Sequence, residues 1–197
     1  YDENLFSLPV DDYVVCLDVD NDGRTELCRY TYPGFNIYNL SGNSFSLSRH
    51  ISGPSDLNFY AKFYYTDINA DGYVDIITSS SGIRDTWTIY INTGNSFIRK
   101  DIDLVANNVE DADFHFFDVN NDGLPDFIHR IEQRLNIYLN ENGTFNKENK
   151  IISQRLLPEK SKVVPYNILQ YNTMSDFITI GLLNVNVYDF TQDLIKD

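Results

Sequence analysis

An all-β chain of stacked four-stranded antiparallel units is predicted by three features: an acidic Asp/Asn/Gly loop that recurs in register, strand-like alternation before each copy, and a strand, turn, strand signature after each. Units of this kind bury their faces by stacking radially, so the expected architecture is a β-propeller, or a propeller segment, of about four blades. The loops would lie between the first two strands of blades 1 to 3.

The loops read "DVDNDGRTE" (18–26), "DINADGYVD" (67–75) and "DVNNDGLPD" (118–126), starting about fifty residues apart. In step with them run "FNIYNLSGNSF" (35–45), "WTIYINTGNSF" (87–97) and "LNIYLNENGTF" (135–145), which align Tyr38 with Tyr90 and Tyr138, and Phe45 with Phe97 and Phe145. Each reads as two strands joined at an Asn/Gly turn. Before the loops, Val14 and Cys16, Phe63 and Tyr65, Phe114 and Phe116, and Val164 and Tyr166 alternate at period two, which is strand spacing. The opposite face is also partly apolar, as in a strand packed between neighbouring sheets. A fourth copy, "SDFITIGLLNVNVYDF" (175–190), tracks 125–140 and sets Tyr188 in register with Tyr138. Its acidic loop is gone: the ligand-like places fall on Ile168, Gln170 and Asn172, and the glycine place on Thr173.

These features place blades at 12–57, 58–108, 109–158 and 159–197 in a single repeat domain. The fourth blade lacks its outer strand, whereas "ENLFSLP" (3–9) resembles the outer strand "GNSFSLS" (42–48). Residues 1–11 therefore read as the outer strand of a neighbouring or closing blade. A piece of a larger propeller is favoured over a closed four-blade ring, in keeping with a chain that opens at Tyr1 rather than Met.

The 29 acidic against 15 basic residues give a formal charge of −14, which argues against nucleic acid or an anionic membrane as partner and for multivalent cations. No apolar run of about 18 residues is present to span a bilayer, and nothing resembles a signal peptide.

In each loop, oxygen-bearing side chains occupy positions 1, 3 and 5, glycine sits at 6, and a carboxylate closes at 9. A hard cation wants such an array, with the backbone carbonyl at position 7 as a further ligand, and the many protein oxygens favour calcium over magnesium. The candidate ligands are Asp18, Asp20, Asp22, Arg24 (carbonyl) and Glu26; Asp67, Asn69, Asp71, Tyr73 (carbonyl) and Asp75; and Asp118, Asn120, Asp122, Leu124 (carbonyl) and Asp126. Loop 1, with four carboxylates, is expected to bind tightest. An EF-hand requires a bidentate Glu at position 12 and flanking helices. Position 12 here is Arg29, Thr78 or His129, and the flanks are strands.

With its three D-x-[DN]-x-D-G-x-x-[DE] loops and the "IYxNxxGxxF"-like hairpins that follow, the chain resembles the FG-GAP or VCBS-type repeat family, known from integrin α-subunits and many bacterial secreted proteins. The resemblance implies a β-propeller with calcium in the hairpin between the first two strands of a blade. It also implies an extracellular scaffold or protein-interaction (adhesion) module rather than an enzyme. Two alternatives are a carbohydrate-binding propeller and a structural segment of a large bacterial Rhs or insecticidal toxin-complex type protein. The expected partner is a protein or glycan ligand on a propeller face, and the expected location is extracellular or cell-surface.

Other residues carry weaker signals. Cys16 and Cys28 lie two residues outside either end of loop 1, so they read either as a disulfide across one face or as two core thiols. His115 reads as a strand residue, and His50 and His129 as surface residues. Trp87 is expected to pack between blades, with stacking on a sugar ring as the alternative. Asn39 and Asn142 open glycosylation sequons.

Overall fold

The computed structural model describes residues 13–53, 63–79, 86–105, 114–154, 156–159, 162–166, 176–180 and 185–188. Successive antiparallel sheets follow one another along the chain, each a meander of chain neighbours. The first holds β1 (Val14–Leu17), β2 (Glu26–Tyr30), β3 (Gly34–Ser41) and β4 (Ser44–Ser52). The second holds β5 (Phe63–Thr66), β6 (Asp75–Ser79), β7 (Thr86–Asn92) and β8 (Phe97–Val105). The third holds β9 (Phe114–Phe117), β10 (Asp126–Ile131), β11 (Arg134–Tyr138) and β12 (Ile151–Ile152). The fourth holds β13 (Lys162–Tyr166), β14 (Asp176–Ile180) and β15 (Val185–Tyr188). Residues 1–11, expected to supply an outer strand, lie outside the described residues.

Period-two alternation sends each blade's apolar side chains to its two neighbours. In blade 2, Phe63, Tyr65, Ile76, Tyr90 and Phe97 pack toward blade 1, against Val19, Cys28, Phe35, Ile37 and Ile51. The other face, with Ile77, Trp87, Ile89 and Ile102, packs against Phe114, Phe127, Tyr138 and Phe145 of blade 3. Blade 3 turns Ile128, Leu135 and Ile137 the other way, onto Leu157 and Val163. Fully burying one such aliphatic or aromatic side chain stabilises by about 1.5–3 kcal/mol, so these interfaces are the core of the molecule. Trp87 has no solvent exposure and its ring centroid lies 5.0 Å from that of Phe114 and 5.5 Å from that of Phe127. It packs between blades, and its ring is closed to a sugar.

Blade 1 differs on the face that corresponds to Tyr90 and Phe97. There Tyr38 pairs with Leu47 and Leu40 with Phe45, and both leucines are exposed, Leu40 at 63% and Leu47 at 59%.

The register corrects the cysteine reading. Leu17 lies opposite Glu26, so Cys16 faces Leu27 and Cys28 faces Val15. That is a slip of one residue from the pairing in which Cys16 and Cys28 would be opposite, and one residue exchanges the two faces. Cys16 is exposed, Cys28 is buried, and both thiols are free. Burial above all pushes the Cys28 thiol up to about 12, so it is a core side chain and not a reactive one.

The same comparison corrects blade 4. Tyr166 pairs with Asp176, whereas Phe117 pairs with Asp126, so the fourth connection is one residue longer than its counterparts. Val163 and Pro165, and not Val164 and Tyr166, therefore stand at the places of Phe114 and Phe116, and Val163 is the residue buried against blade 3. Ile168, Gln170, Asn172 and Thr173 lie outside the described residues.

His115 lies on β9, and the exposed His50 places Nδ1 2.9 Å from the Asn36 side-chain oxygen. His129 is not a surface residue: it is 3% exposed on β10, its ring 4.3 Å from that of Phe114. Position 129 shares the period-two face of Phe127, which is the face covered by blade 2. Burial holds the His129 imidazole down at about 4, against an ordinary value of 6.5. Between those values the unfolded chain binds a proton that the folded chain does not, so this contribution to stability is complete above pH 6.5 and is lost as the pH falls toward 4. His129→Leu should therefore gain stability on the parent as the pH is lowered through that window, measured as the difference in denaturation midpoints at about pH 7 and about pH 4.5.

Candidate metal centre

Each acidic loop is wound tight by its own side chains. In loop 1 the Asp18 carboxylate accepts the backbone N–H of Asp22 at 3.1 Å and of Gly23 at 2.9 Å, and Asp22 accepts that of Arg24 at 2.9 Å. Loop 2 repeats this with Asp67 accepting from Asp71 and Gly72, and Asp71 from Tyr73. Loop 3 repeats it with Asp118 accepting from Asp122 and Gly123, and Asp122 from Leu124. The side chain of position 1 is thus brought against the backbone of position 5 in all three loops. Arg24, Tyr73 and Leu124, whose carbonyls are the predicted position-7 ligands, have their N–H groups held by the position-5 carboxylate.

Glycine at position 6 adopts φ of +84°, +92° and +91° at Gly23, Gly72 and Gly123, the left-handed region where a Cβ is strained. Sequence reasoning found that residue and missed its partner two places earlier. Position 4 is also left-handed, at Asn21 (φ 58°), Ala70 (φ 56°) and Asn121 (φ 59°). Asparagine tolerates that conformation, and its occurrence in two loops was the available signal.

Loop 1 gathers Asp18, Asp20 and Asp22 with one oxygen of each within 4.8 Å of the others. Asp20 Oδ2 lies 3.1 Å from Arg49 Nη2, while Asp20 Oδ1 is buried with no hydrogen-bond partner. In loops 2 and 3 the position-3 residue is an amide. Asn69 Nδ2 donates to Asp71 Oδ2 at 2.9 Å, and Asn120 Nδ2 to Asp122 Oδ2 at 2.8 Å. The all-oxygen donor set and the orphaned Asp20 oxygen fit a hard divalent cation in loop 1. In loops 2 and 3 the amide N–H partly serves the position-5 carboxylate, as a weaker neutralising partner.

The closing carboxylates occupy a different environment. Asp75 and Asp126 have no solvent exposure, and Glu26 is 4% exposed. Each accepts the backbone N–H of position 2 of its own loop: Val19 to Glu26 at 3.1 Å, Ile68 to Asp75 at 2.9 Å and Val119 to Asp126 at 3.0 Å. The second oxygen of Asp75 accepts the N–H of Asn92 at 2.7 Å, and that of Asp126 the N–H of Asn140 at 2.8 Å. Burial first, opposed by these N–H groups and then reinforced by the neighbouring loop carboxylates, pushes Asp75 and Asp126 up to about 6 and raises Glu26. A carboxylate oxygen with one hydrogen bond keeps a further lone pair, so the position-9 residues both brace the loop from below and add to its negative charge.

Asn92 and Asn140 were not singled out in the sequence. Asn92 is wholly buried, and its amide donates to the Val19 carbonyl of blade 1 at 2.9 Å and to Val74 at 3.2 Å, while Oδ1 accepts the Gly94 N–H at 2.9 Å. Asn140 repeats the arrangement one blade on, donating to Ile68 of blade 2 at 2.7 Å and to Pro125 at 3.0 Å, with Oδ1 accepting from Gly143 at 2.6 Å. Their recurrence in "IYIN" and "IYLN" was visible; the reach of the side chains into another blade was not.

Residues 67–129 match the FG-GAP-like repeat family, a stretch that contains loops 2 and 3 and strands β6 to β9. No curated protein matches the chain. Among solved structures it resembles an Agrocybe aegerita lectin described as specifically recognising non-reducing terminal N-acetylglucosamine. The TM-score is 0.67 at 17% identity, over 92% of this chain and 50% of the lectin. It also resembles a chain of the Photorhabdus luminescens Tc holotoxin pore, with a TM-score of 0.66 at 15% identity, over 89% of this chain and 9% of that one. This chain thus spans half the length of the first and a small part of the second, and at these identities the likeness is one of fold.

Ala70 is the one position-4 residue without a side chain suited to positive φ. Ala70→Asn, the residue of loops 1 and 3, should stabilise the fold by up to about 1 kcal/mol by relieving the left-handed penalty, read as a higher thermal midpoint in metal-free buffer.

Proposed function

We propose that this chain, a propeller of FG-GAP-like repeats, is a calcium-stabilised extracellular scaffold or protein-interaction module rather than an enzyme. The observation that carries the reading is the convergence of Asp18, Asp20 and Asp22 in loop 1, with a buried, unpartnered Asp20 oxygen, in a loop whose side-chain-to-backbone winding recurs in the other two. Asp18, Asp20, Asp22 and Glu26 would hold the ion in loop 1, with the Arg24 carbonyl. Asp67, Asn69, Asp71 and Asp75 would do so in loop 2 with Tyr73, and Asp118, Asn120, Asp122 and Asp126 in loop 3 with Leu124. A bound Ca²⁺ supplies charge neutralisation. The chain's own residues do the rest: they wind the loop, hold its N–H groups inward, and set the hairpin angle from which each blade's sheet begins. Such a scaffold needs calcium at the millimolar level found outside cells, which is the reason for the extracellular assignment. Adhesion or another protein contact would be made by residues on a propeller face.

A glycan ligand is the second reading, favoured by the likeness in fold to the N-acetylglucosamine-recognising lectin. The likeness to the toxin-complex chain supports a third, a structural segment within a larger bacterial assembly. With Trp87 closed in the core, a sugar site would have to use other side chains.

Thermal melts in EDTA, in calcium and in magnesium test the metal reading. Saturation at about 100 times Kd should add about 2.7 kcal/mol per independent site, with calcium selective over magnesium. A midpoint indifferent to calcium would remove the calcium scaffold. On a glycan array in calcium buffer, retention of terminal N-acetylglucosamine would promote the second reading, and silence across the array would leave the protein-contact reading in place.

A further inference from the structure

We propose that Asn92 and Asn140 are coupling residues that make cation binding at the three loops interdependent, an inference that rests on the calcium reading above. The path is continuous and every link is a hydrogen bond. The Val19 carbonyl at position 2 of loop 1 accepts from Asn92 Nδ2, and Asn92 N–H donates to Asp75, which closes loop 2. Asp75 also accepts the N–H of Ile68, at position 2 of loop 2. The Ile68 carbonyl accepts from Asn140 Nδ2, Asn140 N–H donates to Asp126, and Asp126 accepts the N–H of Val119 in loop 3.

Position 2 is flanked by the ligand-bearing positions 1 and 3, so the peptide that each Asn grips is part of the loop that would close on an ion. Both amide protons and the oxygen of each Asn are used, and both side chains are buried, which leaves the amide one orientation. Loops 1 and 2 also approach directly: a Cβ on Gly72 would stand 2.5 Å from Asn21 Nδ2. An ion that fixes loop 1 therefore fixes the acceptor of Asn92, and Asn92 in turn holds the carboxylate that closes loop 2. By linkage the effect runs equally in reverse. Blade 1 carries Leu40 at the corresponding place, so within the described residues the relay starts at loop 1.

Terbium alone, bound in place of calcium, gives a luminescence readout through Tyr73 of loop 2, and because Asn21 of loop 1 stands against Gly72 the loop-2 signal is taken as the difference between each protein and the same protein with loop 2 disabled by Asp67→Asn and Asp71→Asn. In the full chain, disabling loop 1 with Asp18→Asn and Asp22→Asn should weaken terbium binding at loop 2 by about 5-fold or more. The same comparison in an Asn92→Leu background should show no change, while in Asn140→Leu, which leaves the first link intact, the dependence should persist. A merely structural asparagine would not divide the two links in this way. Should Asn92→Leu fail to fold, disabling loop 3 with Asp118→Asn and Asp122→Asn, with and without Asn140→Leu, tests the second link by the same luminescence. Loop-2 affinity indifferent to loop 1 in the parent, or a dependence that survives Asn92→Leu, overturns the coupling and leaves the calcium reading standing. Absence of both terbium and calcium binding by the parent overturns the calcium reading and this inference with it.

Discussion

A carboxylate without solvent can remain inside a sheet only if donors meet its oxygens, and Asp75 and Asp126 are met entirely by backbone. Each takes one N–H from the loop that follows the first strand and one from the last residue of the third strand (Asn92) or two residues past it (Asn140), while itself opening the second. One side chain thus sets the spacing of three strands. The acidic loop above and the Asn/Gly hairpin beside it are held in a fixed relation through that point. Everything else in the blade, including which apolar face meets which neighbour, follows from the register it imposes.

Much of this was legible. The recurrence of D-x-[DN]-x-D-G and of the tyrosine hairpin gave the blade period, and the alternation of Phe63 and Tyr65 or Phe114 and Phe116 gave the strands. What sequence spacing could not deliver was the count of residues that pair across a loop. The carboxylate at position 9 reads equally well as a loop residue and as the first residue of a strand; it is the second, which turned Cys16 away from Cys28, while the extra residue in the fourth connection moved the blade 4 face from Val164 to Val163. His129 was misplaced because a polar residue on a strand buried on both faces gives no local sign of its surroundings. Asn92 and Asn140 were hidden for a related reason. An asparagine beside a glycine turn is expected for the turn alone, and the partner that explains its burial lies in another repeat.

Equivalent positions that differ show which contacts are needed where. Blades 2 and 3 bury Tyr90 and Tyr138 against the blade before them and set an asparagine two residues on. Blade 1 has Tyr38 followed by the exposed Leu40, and no described blade lies before it. The asparagine thus marks blades 2 and 3, each of which grips the loop before it, whereas blade 4, which follows loop 3, has Phe190 at that place in the sequence. Arg49 stands beside Asp20 in loop 1, where position 3 is a full carboxylate and not an amide, so the site richest in negative charge has a cation at hand.

The reach of these hydrogen bonds along the chain also orders its assembly. Asp75 finds Ile68 at a separation of 7 residues and Asn92 at 17, whereas Asn92 Nδ2 finds Val19 at 73. Short closures cost less chain entropy than long ones, so a blade's loop and hairpin form before its grip on the neighbour. A polypeptide emerging from the ribosome meets that order without delay. Blade 1 is complete before Asn92 has been synthesised, and blade 2 before Asn140, so each new sheet condenses on a finished template and exposes the template for the next.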